Sequence, residues 1–224
     1  MQMTGNAGTT WEANADADAD RPRIGLLLAA GASSRMGRPK ALIEDPITGH
    51  TFLERLIEVM RLGGCDAVLV VAGCHVAEIA ARLPRGALLV HNPDWAEGQL
   101  SSVRRGLDAA LQLAPRRVAL HLVDQPLIEP SDVRAVLMNP ESTSTPLAIA
   151  THGGLPGHPI SFSPDLARAI ALDSAAASLR DALDRHAATG AARRLVEGTM
   201  GCVRGANTPE ELRSLFCLDE RASP

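Results

Sequence analysis

Aromatic side chains are nearly missing from this 224-residue chain: three phenylalanines, two tryptophans and no tyrosine, or 2% of the sequence. Proteins that hold single-stranded nucleic acid stack bases on aromatic platforms, so this composition argues against that class. Charge of one sign is also lacking. The net charge is −4, and the first twenty residues hold four acids (Glu12, Asp16, Asp18, Asp20) and no base. The remainder is close to neutral and offers no broad basic face for nucleic acid or an anionic membrane. Cysteine is scarce: Cys65, Cys74, Cys202 and Cys217 form no CxxC pair. They read as buried thiols in a reducing compartment rather than a disulfide framework or a zinc site. No apolar run approaches the ~20 residues of a membrane helix. The expectation is a cytoplasmic protein with neither a nucleic-acid nor a membrane partner.

Lysine is the scarcest charged residue. Lys40 is the only one, and every other strong base is arginine. It ends the stretch Leu26–Lys40, LLLAAGASSRMGRPK, around which the rest of the chain is read. An apolar run, Ile24 to Ala30, stops at Gly31. Small residues follow (Ala32, Ser33, Ser34), then Arg35, Gly37, Arg38 and Lys40. A buried strand that empties into a small-residue, cationic loop suits phosphate, because backbone N–H groups can approach the anion closely. Arg35 and Lys40 add full charges. An ammonium is a compact point charge and a guanidinium a planar fork, so the lone lysine is not a neutral choice there. The stretch is not a P-loop, since Gly31 and Gly37 are too far apart and Lys40 follows Pro39. It is not a dinucleotide fingerprint either, because Ser33 stands where the second glycine belongs. A cleaved leader is the competing reading, but the apolar run is short, starts late and is followed by RMGRPK.

The hydrophobic content, 46%, suits one aliphatic core. Residues 1–22 are expected to be a disordered tail, 23–217 one domain, and 218–224 a second tail. Strands are predicted at Ile24–Ala30, Asp66–Ala72, Ala87–Val90 and Arg117–Val123. Helices between them are predicted at Thr51–Leu62, Val76–Leu83 and about Leu100–Leu113. This alternation predicts an α/β fold with a parallel sheet, whose ligands sit at the C-terminal strand ends. Beyond Pro126 the alternation loosens. A helix capped by Ser131 and running to Met138, strands at Leu147–Thr151 and Pro159–Phe162, and helices near Ser178–Ala188 and Pro209–Phe216 are expected.

Gly31 and Asp124 both follow strand ends, which places them on one rim. A carboxylate there is suited to Mg²⁺, which takes one or two carboxylates plus phosphate oxygens and water. Gly98, Ser101 and Ser102 stand at the start of a predicted helix, able to cap it or to hold a nucleotide. His158 lies in the Gly/Pro-rich stretch LPGHPISF, read as a loop, where it could bond a substrate phosphate or a metal. Asn207 precedes Thr208-Pro209, a capping signal, and its side-chain oxygen could also reach a metal.

LAAGASSRMGRPKAL resembles the opening signature of the MobA-like nucleotidyltransferases. The resemblance continues through HNPDWAEGQLSSV, VDQPLI, GLPGHPISF and NTPEEL, from about Ile24 to Leu215. GLPGHP and the Ala30-Gly31 form of the first motif look most like the molybdenum cofactor cytidylyltransferases. The resemblance implies a Rossmann-like three-layer α/β/α fold with a mixed, mostly parallel sheet, the glycosyltransferase-A-like nucleotidyltransferase fold. It implies Mg²⁺-dependent transfer of a nucleoside monophosphate, CMP from CTP, onto a phosphorylated acceptor such as the molybdenum-bearing pterin, with release of pyrophosphate. Carried over by residue, Ala29, Ala30 and Gly31 contact the nucleotide, Arg35 and Lys40 the triphosphate, and Ser101 or Ser102 the base region. Asp124 holds Mg²⁺ and His158 sits on the acceptor side. The cytidylyl branch commonly carries Asp-x-Asp-Thr-Pro near its end, but here the run is Gly205-Ala206-Asn207-Thr208-Pro209. That departure leaves metal affinity and base preference open. It also leaves room for GTP as donor, for a sugar-phosphate acceptor, or for a non-catalytic accessory protein that hands a pterin or nucleotide to a molybdoenzyme.

Overall fold

The computed structural model describes residues 20–138, 145–190 and 192–216. The expectations for the two tails fall outside these residues, except at 20–22. The strands are β1 (Arg23–Ala29), β2 (Ala67–Ala72), β3 (Ala87–His91), β4 (Arg117–Leu122), β5 (Leu147–His152), β6 (Leu155–Phe162) and β7 (Arg193–Glu197). The helices are α1 (Phe52–Leu62), α2 (Val76–Ala81), α3 (Gln99–Leu111), α4 (Pro130–Met138), α5 (Pro164–Leu172), α6 (Leu179–Ala187) and α7 (Pro209–Phe216).

One seven-stranded sheet runs in the order β3-β2-β1-β4-β6-β5-β7. Its first four strands are parallel, as are β5 and β7, whereas β6 is antiparallel to both of its neighbours. The sheet is therefore mixed and mostly parallel. Alternation along β1 explains the layers, since successive strand side chains point to opposite faces. Leu27 and Ala29 join one apolar cluster with Leu53 and Leu56 of α1 and Val133 of α4. Leu26 and Leu28 join the other with Val103 and Leu107 of α3 and Ile170 of α5. A strand covered on both faces must be apolar throughout, and β1 is buried from Ile24 to Ala29.

The structure corrects several details. Ser131 does not precede its helix; α4 starts at Pro130, and the Asp132 carboxylate accepts the Glu129 N–H at 2.9 Å instead. His158 is not in a loop, because β6 begins at Leu155 and pairs back on β5 as a hairpin with an irregular register near Ile149–Thr151. β7 and α5 are additional elements. Cys65 and Cys202 are buried thiols, but Cys74 is exposed just beyond β2. No helix among the described residues is long and apolar enough to cross a membrane.

Candidate active site

The loop after β1 folds back on itself. Ser33 and Gly37 both take left-handed backbone conformations, with φ of 52° and 71°. Glycine meets that demand without strain, whereas a serine adopts it less readily. Between them a short turn, Ser34–Met36, tucks Met36 into the core below the sheet end. The Ser33 hydroxyl accepts the Lys40 backbone N–H at 3.1 Å, which ties the two ends of the loop together. Lys40 is thereby turned toward the end of β4.

There its ammonium donates to Asp124 Oδ2 at 3.0 Å and to Asn207 Oδ1 at 2.8 Å. Asn207 reaches this point because the preceding turn packs on the end of β4. The Ala206 N–H donates to the Asp124 carbonyl at 2.9 Å, and a Cβ on Gly205 would stand 2.9 Å from that same oxygen. Thr208, not Asn207, caps α7: its hydroxyl accepts the Glu211 N–H at 3.2 Å. The Asn207 side chain is thus left for Lys40.

These groups line a cavity of about 460 Å³ at the C-terminal strand ends. Ala29, Ala30, Gly31, Arg35, Lys40, Asp124 and Asn207 all border it, and Arg35 is exposed. Of the two serines only Ser102 does. Ser101 is taken up by the turn before α3, with its hydroxyl 2.9 Å from the Asp94 carbonyl and 2.8 Å from the Gly98 carbonyl. Buried Asn92 donates to both serine oxygens, at 2.9 and 3.0 Å, and so orders this wall. His75, Trp95 and Gln99 also border the cavity and were not singled out from the sequence. Trp95 packs against Gly73, where an added Cβ would lie 2.4 Å from the Trp95 Cβ, so a glycine straight after the apolar run of β2 was the available signal.

His158 borders a second cavity, of about 630 Å³. Gln99 lines both cavities, and the adjacent residues Asp124 and Gln125 line one each, so the two spaces meet at the end of β4. Apolar side chains such as Leu147 and Ile160 wall the second one, together with Arg180 and Arg193. Burial pushes the His158 imidazole down to about 4, opposed by the nearby Asp124 charge, so the ring is neutral near pH 7. It stands edge-on to His121, ring centroids 6.3 Å apart. His158 Nδ1 has no hydrogen-bond partner among the described residues.

A divalent ion fits the donors present. Asp124 and Asn207 already converge two hard oxygens on one cation, the ammonium. Among the described residues no group of three or more His, Cys, Asp or Glu could hold a metal. The protein would therefore supply few ligands, and phosphate and water the rest, which is the usual habit of Mg²⁺.

Residues 25–190 match the MobA-like NTP transferase domain. The chain belongs to the MobA-like NTP transferase family. It is 39% identical over 125 residues to the nicotine blue oxidoreductase of Paenarthrobacter nicotinovorans, 54% of this chain and 59% of that one. It is 32% identical over 149 residues to the molybdenum cofactor cytidylyltransferase of Escherichia coli K12, 65% of this chain and 72% of that one. The chain thus spans less than two thirds of the first relative's length. Among solved structures, Rv0371c from Mycobacterium tuberculosis H37Rv superposes with a TM-score of 0.72 at 24% identity, covering 88% of this chain and 97% of that one. Rv0371c has also been solved in complex with manganese. The MobA-like fold and the layered sheet described above agree.

Proposed function

We propose that this MobA-like protein transfers a nucleoside monophosphate, most readily CMP from CTP, onto a phosphorylated acceptor, the molybdenum-bearing pterin. The observation that carries this reading is the meeting of Lys40, Asp124 and Asn207, from three distant stretches, at the junction of the two cavities. The first cavity takes the triphosphate, with Ala29, Ala30 and Gly31 along its floor and Arg35 and Lys40 as its charges. Ser102, held by Asn92, lies toward the base. The second cavity takes the acceptor, with neutral His158 presenting a ring nitrogen and the two arginines countering phosphate charge.

An acceptor phosphate oxygen attacks the α-phosphorus, the bond to the β-phosphate oxygen breaks, and pyrophosphate leaves. Little covalent work falls to the protein in such a reaction; placement and charge neutralisation carry it. Lys40 moves its ammonium from Asp124 and Asn207 to the phosphates as they bind, and Arg35 covers their outer face. Mg²⁺, held by Asp124 and Asn207, would supply further neutralisation of the phosphate oxygens. The relative solved with manganese supports a divalent ion.

The relative named an oxidoreductase favours a second reading, in which one cavity takes a redox-active nucleotide cofactor that gives electrons to, or takes them from, a small molecule in the other. Calorimetry with CTP, GTP, ATP and UTP, with and without Mg²⁺, followed by a pyrophosphate-release assay with the pterin acceptor, separates the two. Mg²⁺-dependent CTP binding with pyrophosphate release supports the transferase. GTP preference moves the protein to guanylyl transfer. Nucleotide binding with no pyrophosphate released overturns the transferase reading.

A further inference from the structure

We propose that His75 is a positioning residue which, as an imidazolium, braces the phosphate loop and makes its grip on a nucleotide triphosphate pH-dependent. The inference rests on the reading of the first cavity as a triphosphate site. His75 stands between β2 and α2, outside the Lys40–Asp124–Asn207 group. Its Nε2 lies 3.0 Å from the Ala32 carbonyl, near the start of the loop, and its Nδ1 lies 2.9 Å from the Glu78 carboxylate. Both partners can only accept. A ring that satisfies both must therefore carry a proton on each nitrogen, which is the imidazolium form.

The ring is well placed for both tasks. Its side chain is 22% exposed and borders the cavity directly. The Cys74 N–H already holds the Ala30 carbonyl at 3.1 Å, and a donor at the Ala32 carbonyl adds a second hold to the first part of the loop. The other charged groups on this cavity are Arg35 and Lys40 from the loop and Asp124 from the end of β4. Lys40 is engaged with Asp124, so an additional positive charge beside the loop adds directly to the attraction for phosphate. The bond to Ala32 and the Glu78 carboxylate raise the imidazole above its ordinary value, while partial burial opposes them.

The sign follows from the geometry. Below its pKa the ring is charged and bonded at both ends. As pH rises through that value, Nδ1 loses its proton and faces the Glu78 oxygens with a lone pair. The Ala32 bond survives in the tautomer with a proton on Nε2, but the charge is gone. Bracing and charge are thus separable by substitution. Gln places an amide N–H close to Nε2 and cannot titrate, whereas Ala removes both contributions.

The test is calorimetric titration of the full chain with CTP and Mg²⁺ from pH 5.5 to 8.5, on wild type, His75→Gln, His75→Ala and Glu78→Gln. Comparing variants at each pH cancels the ionisation of CTP itself. The loss in His75→Ala at pH 6 is expected to be ~10-fold, as for a charge-assisted bond. His75→Gln is expected to retain most of the affinity at pH 8 and to lose the extra affinity that wild type gains toward pH 6. Glu78→Gln should keep the fold and move the wild-type inflection to lower pH. Wild-type affinity in His75→Ala at all pH values, or a His75→Gln profile parallel to wild type, overturns the role of His75. Wild-type protein that binds no nucleotide overturns the triphosphate reading itself, and this inference with it.

Discussion

Lys40 has two partners, and substituting it removes a different thing from each. Lys40→Ala takes the mobile charge from the proposed phosphate site and leaves Asp124 and Asn207 facing each other without a cation. Loss of one preorganised charge commonly costs ~3–4 kcal/mol, or about two to three decades in rate. Pyrophosphate release by Lys40→Ala should fall by that factor while the circular dichroism spectrum stays unchanged. Lys40→Arg should also be poor, because a planar fork cannot sit between two oxygens as a point charge does. A turnover within a few-fold of wild type would remove Lys40 from the chemistry. Asn207→Asp runs the other way. It adds a second carboxylate beside Asp124, so divalent-ion affinity should rise by roughly tenfold, a figure in keeping with charge-assisted ligands. Manganese titration by electron paramagnetic resonance would read it, and an unchanged affinity would place the metal elsewhere. The loop residues were legible because glycine, serine and a solitary lysine signal an anion cradle locally. The Lys40 pairings were not, since they join residues 84 and 167 positions apart and depend on strand order.

Among elements, β6 departs furthest from what its composition suggests. Gly157 and two prolines in LPGHP argue against a strand, since proline cannot donate to a ladder. The strand forms because it turns back on β5 as a hairpin and packs against the turn at Met200–Val203. Gly157 is what permits this approach: a Cβ there would meet the Cys202 carbonyl oxygen at 2.0 Å, and backbone cannot move aside cheaply. Gly157→Ala should destabilise by ~2–3 kcal/mol, typical of overpacking. That corresponds to a melting temperature lower by roughly 5–10 °C. Gly31→Ala is the control, because no atom lies within 4 Å of the added Cβ, and its melting should not move. Equal melting of both variants would mean that β6 does not hold this contact. The same reasoning explains which elements could be read. β1 from Ile24 onward and β2 are apolar because helices cover both faces, and β4 is apolar but for buried Arg117 and His121. β7 alternates exposed and half-buried residues at the sheet edge, RRLVE, so its pattern resembles an ordinary polar loop. α5 did carry a signal, Ser163 capping Leu166 with Pro164 in its first turn, but the loosened alternation around it hid the helix.

At the scale of the whole molecule, the sheet order sets both the site and its response to acid. Inserting antiparallel β6 beside β4 puts His158 next to His121 in the interior, between the second cavity and the core. His121 Nε2 lies 2.8 Å from the Gln125 carbonyl, so that nitrogen carries the proton and Nδ1 is left without a partner among the described residues. Burial first, and the neighbouring His158 second, push His121 down to about 3. His158 is pushed down to about 4. In the unfolded chain both rings titrate near 6.5. Between about pH 6.5 and 4 the unfolded state therefore binds protons that the native state refuses, and stability falls as pH falls. Each ring contributes a slope of up to ~1.4 kcal/mol per pH unit within that window. His75 acts in the opposite sense, since its raised value gives stability that is lost as pH climbs through it. The two effects separate by substitution. His121→Gln keeps a donor for the Gln125 carbonyl and removes one titrating ring, so its urea midpoint should decline less steeply than wild type from pH 6.5 to 4.5. Carboxylates that titrate in acid contribute equally to both proteins and cancel in the difference. Parallel declines would mean that water reaches His121 in the native state and that its burial does not hold the ring neutral in acid.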